Sequence, residues 1–306
     1  VVSILFDIKK WIQACRPRTL IASASPVLVT TMLVRNEPQF SFLVSLIVLI
    51  DAILLQIAAN LANDVIDYER GSDTKDRIGP IRFTSSGLIA PEQMKLVACL
   101  ALVLAFLLGI PLVIRGGLPI VIIGISAIIT SVAYSGGPFP LSYRGLGEVA
   151  TIVFFGFLSS WGTAYVSAYK VTPLVLIFGF CSGLFATAIL TVNNIRDEKE
   201  DRLSGKRTLI VRFGRYFGLV EYSICLLCPF VFLIILSYFN ILPKIFLGLV
   251  LFLPPVMWLI KTLFYTIVAN DSSLSISIFW QSMLSRTGLV FAAYTIFVLF
   301  SVYYSL

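Results

Sequence analysis

Apolar residues dominate the chain in runs of about 20, the length that crosses ~30 Å of hydrocarbon as a helix. Nine such spans are expected, near residues 19–34, 41–63, 94–114, 118–134, 148–169, 173–193, 219–237, 244–264 and 287–304. The first is short and is expected to extend back through Trp11. Pro26, Pro111, Pro173, Pro229, Pro254 and Pro255 lie inside or near span ends and predict kinks, which a helical bundle absorbs. Gly179-x-x-x-Gly183 reads as ordinary small-residue packing rather than a dimer motif. The fold expected is an all-α membrane protein.

Composition agrees: 58% of the 306 residues are hydrophobic, 13% are charged, and mean hydropathy is +0.96. A soluble domain carries about 25% charge, so an ordinary cytosolic globule is excluded. There is no histidine, which removes imidazole bases, His-ligated metals and haem. Cys225-x-x-Cys228 lies inside a span and reads as packing, as do Cys15, Cys99 and Cys181. The chain opens on Val1, and no cleavable leader is expected because further spans follow the first.

The net charge of +7 would suggest nucleic acid in a soluble protein, but here basic loops on one side of a membrane explain it. With the N-terminus inside, the inner segments carry 19 of the 23 Lys and Arg; Arg35, Arg115, Lys170 and Lys244 fall outside. That split supports nine spans, a cytoplasmic N-terminus and an outside C-terminus.

Two connections, 64–93 and 194–218, are long, polar and cytoplasmic under this topology. They hold nine acids in two tight windows. If the helix of span 2 continues, Asn60, Asp64 and Asp67 fall at i, i+4 and i+7 and share one face, with Gln56 one turn inward. Asn193, Asp197 and Asp201 fall at i, i+4 and i+8. An amide followed by two carboxylates, twice, suggests an internal duplication with halves 1–147 and 148–306 inside a single 1–306 domain.

Carboxylates on facing helices repel unless a cation lies between them, and hard oxygen ligands suit Mg2+ better than zinc or copper. Metal ligands expected are Asn60, Asp64, Asp67, Asn193, Asp197 and Asp201. Basic residues follow each window, Lys75, Arg77 and Arg82 in one and Lys206 and Arg207 in the other, and these suit phosphate oxygens. The pattern reads as a diphosphate–metal site. Glu69, Asp76, Glu198 and Glu200 read as solvated charges, and Asp51, deep in span 2, as structural.

These stretches resemble the UbiA-type intramembrane prenyltransferases, most closely the branch acting on 1,4-dihydroxy-2-naphthoate. The likeness is carried by Asn60-Leu-Ala-Asn-Asp64-x-x-Asp67, Gly71-Ser-Asp73-x-x-Asp76-Arg77-Ile-Gly-Pro80-x-Arg82 and Ser86-Gly87. Tyr134-x-x-Gly137 and Tyr143-x-Gly145-Leu-Gly147-Glu148 continue it, followed by Asn193-Asn194-x-Arg196-Asp197-x-x-x-Asp201 and Gly205-Lys206-Arg207-Thr208. The family's third acid falls here on Gly71, with Asp73 two residues later as its substitute.

The resemblance implies a bundle around a central cavity with two cytoplasmic cap loops, Mg2+, an isoprenoid diphosphate donor and an aromatic acceptor. It implies a multi-pass protein of a bacterial inner membrane. The expected reaction moves a polyprenyl or phytyl group onto 1,4-dihydroxy-2-naphthoate with loss of CO2. Catalytic residues expected are Asp64, Asp67, Asp73, Asp197 and Asp201, with Tyr134 and Tyr143 facing the allylic cation; Arg82 or Arg144 would orient the acceptor carboxylate. The alternatives are a sister enzyme for 4-hydroxybenzoate or homogentisate and a cation-coupled transporter. A transporter places its acids near the bilayer midplane, not at helix ends among basic residues. A CDP-alcohol phosphotransferase lacks its Asp-Gly-x-x-Ala-Arg signature here.

Overall fold

A segment in lipid must satisfy its own backbone, and every regular element among the described residues is helical. In this computed structural model the described residues are 2–71, 82–269 and 275–305, with side chains described over 8–71, 82–268 and 278–305. Besides short turns at Pro17–Thr19, Leu141–Arg144 and Leu209–Phe213, the helices are α1 (Val2–Ala14), α2 (Ile21–Val34), α3 (Phe42–Glu69), α4 (Pro91–Gly116), α5 (Leu118–Ala133), α6 (Gly147–Ala168), α7 (Pro173–Arg196), α8 (Glu198–Leu203), α9 (Arg215–Tyr238), α10 (Lys244–Val268) and α11 (Ile278–Ser305).

Seven of them, α3, α4, α6, α7, α9, α10 and α11, are long and apolar enough to span a membrane. The difference from nine lies in two places. The first expected span is a pair, α1 and α2, bent by 57°. Arg16 takes a left-handed backbone at φ 54, a 3-10 turn covers Pro17–Thr19, and the bend falls between that turn and Ile21. The other is α5, whose 16 residues fall short of the ~20 a perpendicular crossing needs. Pro26, Pro111 and Pro229 lie inside continuous helices.

Local signals set the ends. Ser41 and Thr172 cap α3 and α7 by accepting from the Val44 and Val175 N–H groups, and proline occupies the first turn of α4, α5 and α7. Gly117, at φ 65, turns α4 into α5.

The central post is α7, whose spanning window is 78% buried against 11–44% for the other spans. Glycines let it sit that deep. A Cβ on Gly179 would lie 2.6 Å from Ser160 Oγ and 2.8 Å from Gly156 O, and one on Gly183 would lie 3.1 Å from Gly156 Cα. The Gly-x-x-x-Gly motif therefore packs within the chain, against a π-helical stretch of α6, Ile152–Leu158. On its other side Phe185 stacks on Phe291 at 4.8 Å, tying α7 to α11. All five cysteines are free thiols.

Candidate active site

α3 runs without interruption to Glu69, so Asn60, Asp64 and Asp67 all lie on helix rather than loop. Gln56 Nε2 donates to Asn60 Oδ1 at 3.2 Å, and Asn60 Nδ2 donates to Cys15 O at 3.0 Å, fixing that amide against the bend after α1. Asp64 turns to the following segment, where its carboxylate accepts the N–H groups of Phe83 (3.2 Å) and Thr84 (3.0 Å). Those two bonds hold Arg82, which donates to Asp67 Oδ2 at 2.9 Å. Asp67 and Arg82 are both buried.

The second window turns a corner. α7 ends at Arg196 and α8 begins at Glu198, with Asp197 between them receiving Arg196 Nε at 2.6 Å and Nη2 at 2.7 Å. Arg196 is buried, and its Nη1 has no hydrogen-bond partner among the described residues. Asn194 Nδ2 donates to the buried Glu148 at 2.9 Å. After α8, Gly205 at φ 77 reverses the chain, and Lys206 N–H returns to Asp201 O at 2.8 Å.

That reversal joins the two windows. Lys206 Nζ lies 3.2 Å from Asp67 and 3.6 Å from Asp201. Burial pulls the Lys206 ammonium down, but the charges of Asp67 and Asp201 outweigh it and hold the group above its ordinary value. Lys206 also lies 5.4 Å from the centre of the Tyr143 ring, which Arg70 approaches at 4.9 Å.

The joined acids, amides and cations form one end of a cavity of about 380 Å³. Asn60, Asn63 and Asp67 line it from α3; Asn193, Asn194 and Arg196 line it from α7. Asp197, Asp201, Arg82, Lys206 and Tyr134 complete that polar end. The remainder of the wall is mostly apolar, as at Leu55, Leu112, Ile123, Phe154 and Phe155, with Asp51 and scattered hydroxyls among them.

Comparison with known proteins fits this arrangement. The profile of the UbiA prenyltransferase family matches residues 23–283. The chain belongs to that family. It is 39% identical over 237 residues to the 1,4-dihydroxy-2-naphthoate octaprenyltransferase of Escherichia coli (strain K12), covering 76% of each chain. It is 35% identical to the Haemophilus influenzae protein of the same name, over 72% of this chain and 74% of the relative. A UbiA homolog from Archaeoglobus fulgidus, bound to DMAPP and Mg2+, shares the fold at a TM-score of 0.61 and 15% identity, over 97% of this chain and 100% of that one. The chain is therefore a multi-pass membrane protein of a prenyltransferase family.

Within this UbiA-family cavity the donor set suits a hard divalent cation. Among the described residues no three His, Cys, Asp or Glu converge as a closed metal cage. What they offer is separate carboxylates and amide oxygens on one wall, and Mg2+ is characteristically held by one or two carboxylates together with substrate phosphate. Asn63 Oδ1 is buried beside Asp67 with no hydrogen-bond partner, an oxygen available to such an ion.

Of the expected site residues, Asn60, Asp67, Arg82, Tyr134, Asn193, Asp197, Asp201 and Lys206 line this cavity. Asp64 supports it from behind through the 82–84 backbone, and Tyr143 stands next to Lys206. Arg144 and Arg207 do not join them: both are exposed, and Arg144 packs on Phe139 at 3.7 Å. Tyr68 is also exposed. Asp73, Lys75, Asp76 and Arg77 lie outside the described residues.

Five residues were missed: Arg16, Asp51, Asn63, Asn194 and Arg196 all line the cavity. Asn63 could have been found, because it stands one turn before Asp67 on the face already marked by Asn60. Asp51 reads from the sequence as structural, deep in span 2, but the cavity reaches far enough along α3 to include it.

Proposed function

We propose that this chain transfers a polyprenyl group from its diphosphate to 1,4-dihydroxy-2-naphthoate, with loss of the carboxyl group as CO2. The observation that carries the reading is the ion cluster joining both acidic windows at the mouth of an apolar cavity: one end fits a diphosphate, the other a hydrocarbon tail. The names of the Escherichia coli and Haemophilus influenzae relatives support the acceptor.

Arg82, Lys206 and Arg196 bind the diphosphate, and Arg196 offers Nη1 without rearranging its pair with Asp197. Asn63, Asp67, Asn193, Asp197 and Asp201 would hold Mg2+, and when bound the ion would supply positive charge to stabilise the departing diphosphate. Asp64 acts as a positioning residue, keeping Arg82 against Asp67. The aromatic faces of Tyr134, Phe154 and Phe155 give the allylic cation a dry, electron-rich wall.

A hydroxyl beside the attacked ring carbon pushes electron density onto it. The new C–C bond forms there, the bond to the carboxylate breaks, and its electron pair restores aromaticity as CO2 leaves. No base is needed at that carbon, in keeping with a chain that has no histidine. Arg16, at the same end of the cavity, is placed to orient an acceptor carboxylate. The cavity mouth and N-terminus face the cytoplasm, on the strength of the Lys and Arg distribution.

A panel of aromatic acids with octaprenyl diphosphate, assayed in membranes holding this protein, tests the reading. Turnover is expected with 1,4-dihydroxy-2-naphthoate and not with 4-hydroxybenzoate or homogentisate; the reverse preference would move the chain to a sister activity.

A further inference from the structure

A cation on a membrane-spanning helix must meet a compensating group or reach the polar headgroups. Five of those on the spanning helices meet one inside the protein. Lys95, Arg196 and Arg215 pair with Glu69, Asp197 and Glu198. Arg115 and Lys244 donate to backbone carbonyls. Lys261 on α10 and Arg286 on α11 do neither: both are exposed, and among the described residues each meets only an aromatic face. Arg286 lies 4.7 Å from the centre of the Trp258 ring and Lys261 lies 5.8 Å from that of Tyr265. Trp258 and Lys261 are three residues apart and share a face of α10, so the two cations flank one tryptophan. A guanidinium resting on a ring keeps its edge N–H groups free for an anion.

Their depth is set by the opposite ends of the same helices. Arg35 donates to the carbonyls of Val302 and Tyr303, and Val302 is 16 residues from Arg286, about 24 Å along α11. Lys244 opens α10, 17 residues before Lys261, a rise of at least about 25 Å. Both cations therefore lie near the far boundary of a hydrocarbon layer ~30 Å thick, where long basic side chains reach lipid phosphates. Beside them a groove runs between α9 and α10, lined by Leu219, Val220, Ile224, Met257, Trp258 and Lys261. Val220, Ile224, Met257 and Trp258 are exposed on the outside of the bundle. An apolar channel that ends at unpaired positive charge matches a molecule with a hydrocarbon chain and an anionic head.

We infer that this groove is a binding site for an anionic phospholipid, with its phosphate between Lys261 and Arg286 and one acyl chain along α9 and α10. The site is separate from the central cavity, whose lining includes none of these residues. It does not depend on the prenyl-transfer reading. A zwitterionic lipid carries its own cation next to the phosphate and gains less from the pair, so the groove selects for net negative charge.

The test adds phosphatidylglycerol or phosphatidylcholine with identical acyl chains to the purified full chain in detergent and counts bound lipid by native mass spectrometry. The unaltered protein is expected to retain phosphatidylglycerol in preference. That preference should fall about fivefold in Lys261→Gln and in Arg286→Gln, further in the double variant, and recover in Lys261→Arg. Lys9→Gln/Lys199→Gln removes two exposed charges elsewhere and should keep the preference. The intact mass and melting temperature of each variant report that it is folded. Equal retention of the two lipids by the unaltered protein overturns the inference, as does a preference that survives in the double variant. An equal fall in the Lys9/Lys199 control overturns it too, because the attraction would then belong to overall charge. So does replacement of the lipid by inorganic phosphate, which would make this a site for free anions.

Discussion

Lys206 donates to Asp67 at 3.2 Å across 139 residues of sequence, and through this one ammonium the two acidic windows become a single site. The same Nζ lies 3.6 Å from Asp201. Lys206→Met should therefore raise KM for the prenyl diphosphate and lower kcat/KM by about 10- to 100-fold, the cost of one charge-assisted contact. Lys206→Arg should recover part of the loss. Steady-state kinetics in detergent check this; unchanged donor KM would remove Lys206 from the diphosphate site.

Asn63 and Asp64 are neighbours with different expected roles. Asn63→Ala should raise the Mg2+ concentration needed for half-maximal rate by about tenfold or more, because it removes an oxygen from the cavity wall. Asp64→Ala should instead release the 82–84 segment, raising donor KM and protease sensitivity at Ser85–Gly87 while leaving the Mg2+ requirement close to normal. A Mg2+ titration of both variants decides between these roles, and the opposite assignment would show Asp64 to be the ligand.

The split between those two residues also shows what spacing can reveal. On a helix each residue turns by about 100°, so Asn60 and Asp67 mark one line and Asn63 and Asp64 fall on either side of it. Periodicity found the cavity face of α3 but could not say which flanking residue it includes. The N–H groups that claim Asp64 lie 19 and 20 residues away, a tertiary fact with no local trace. Arg196 stands in the sequence only as one position of the motif around Asp197; that its Nη1 is buried inside the cavity wall and outside the pair with Asp197 depends on the fold. The apolar runs located most spans well. They missed the bend between Thr19 and Ile21 because hydropathy is blind to backbone direction.

Arg82 and Asp67 form a buried pair, with side chains 7% and 1% exposed, so removing one partner strands the other. Arg82→Met should lower stability by about 3–5 kcal/mol if Lys206 did not also face Asp67, and by less because it does. The double variant Arg82→Met/Asp67→Asn should be more stable than Arg82→Met alone. Thermal unfolding in detergent gives both values; strict additivity would show that the pair is not coupled.

Close packing of α6 on α7 makes Gly179 intolerant of even a methyl group, since backbone oxygen of Gly156 lies 2.8 Å from the added carbon. Gly179→Ala should cost about 1–3 kcal/mol, whereas Gly124→Ala, open to the cavity, should cost only the small change expected of an unobstructed helix site. Paired melting curves test the contrast.

The central claim is that a prenyl group replaces the carboxyl of 1,4-dihydroxy-2-naphthoate at the site built by Asp67, Lys206 and Asp201. The most direct measurement supplies acceptor labelled in its carboxyl carbon, octaprenyl diphosphate and Mg2+ to membranes carrying this protein, and follows labelled CO2 and prenylated naphthol together. The expected result is one-to-one appearance of the two, abolished by chelating the metal and by Asp67→Ala. Prenylated product that keeps its label, or full turnover in chelator, would contradict the account.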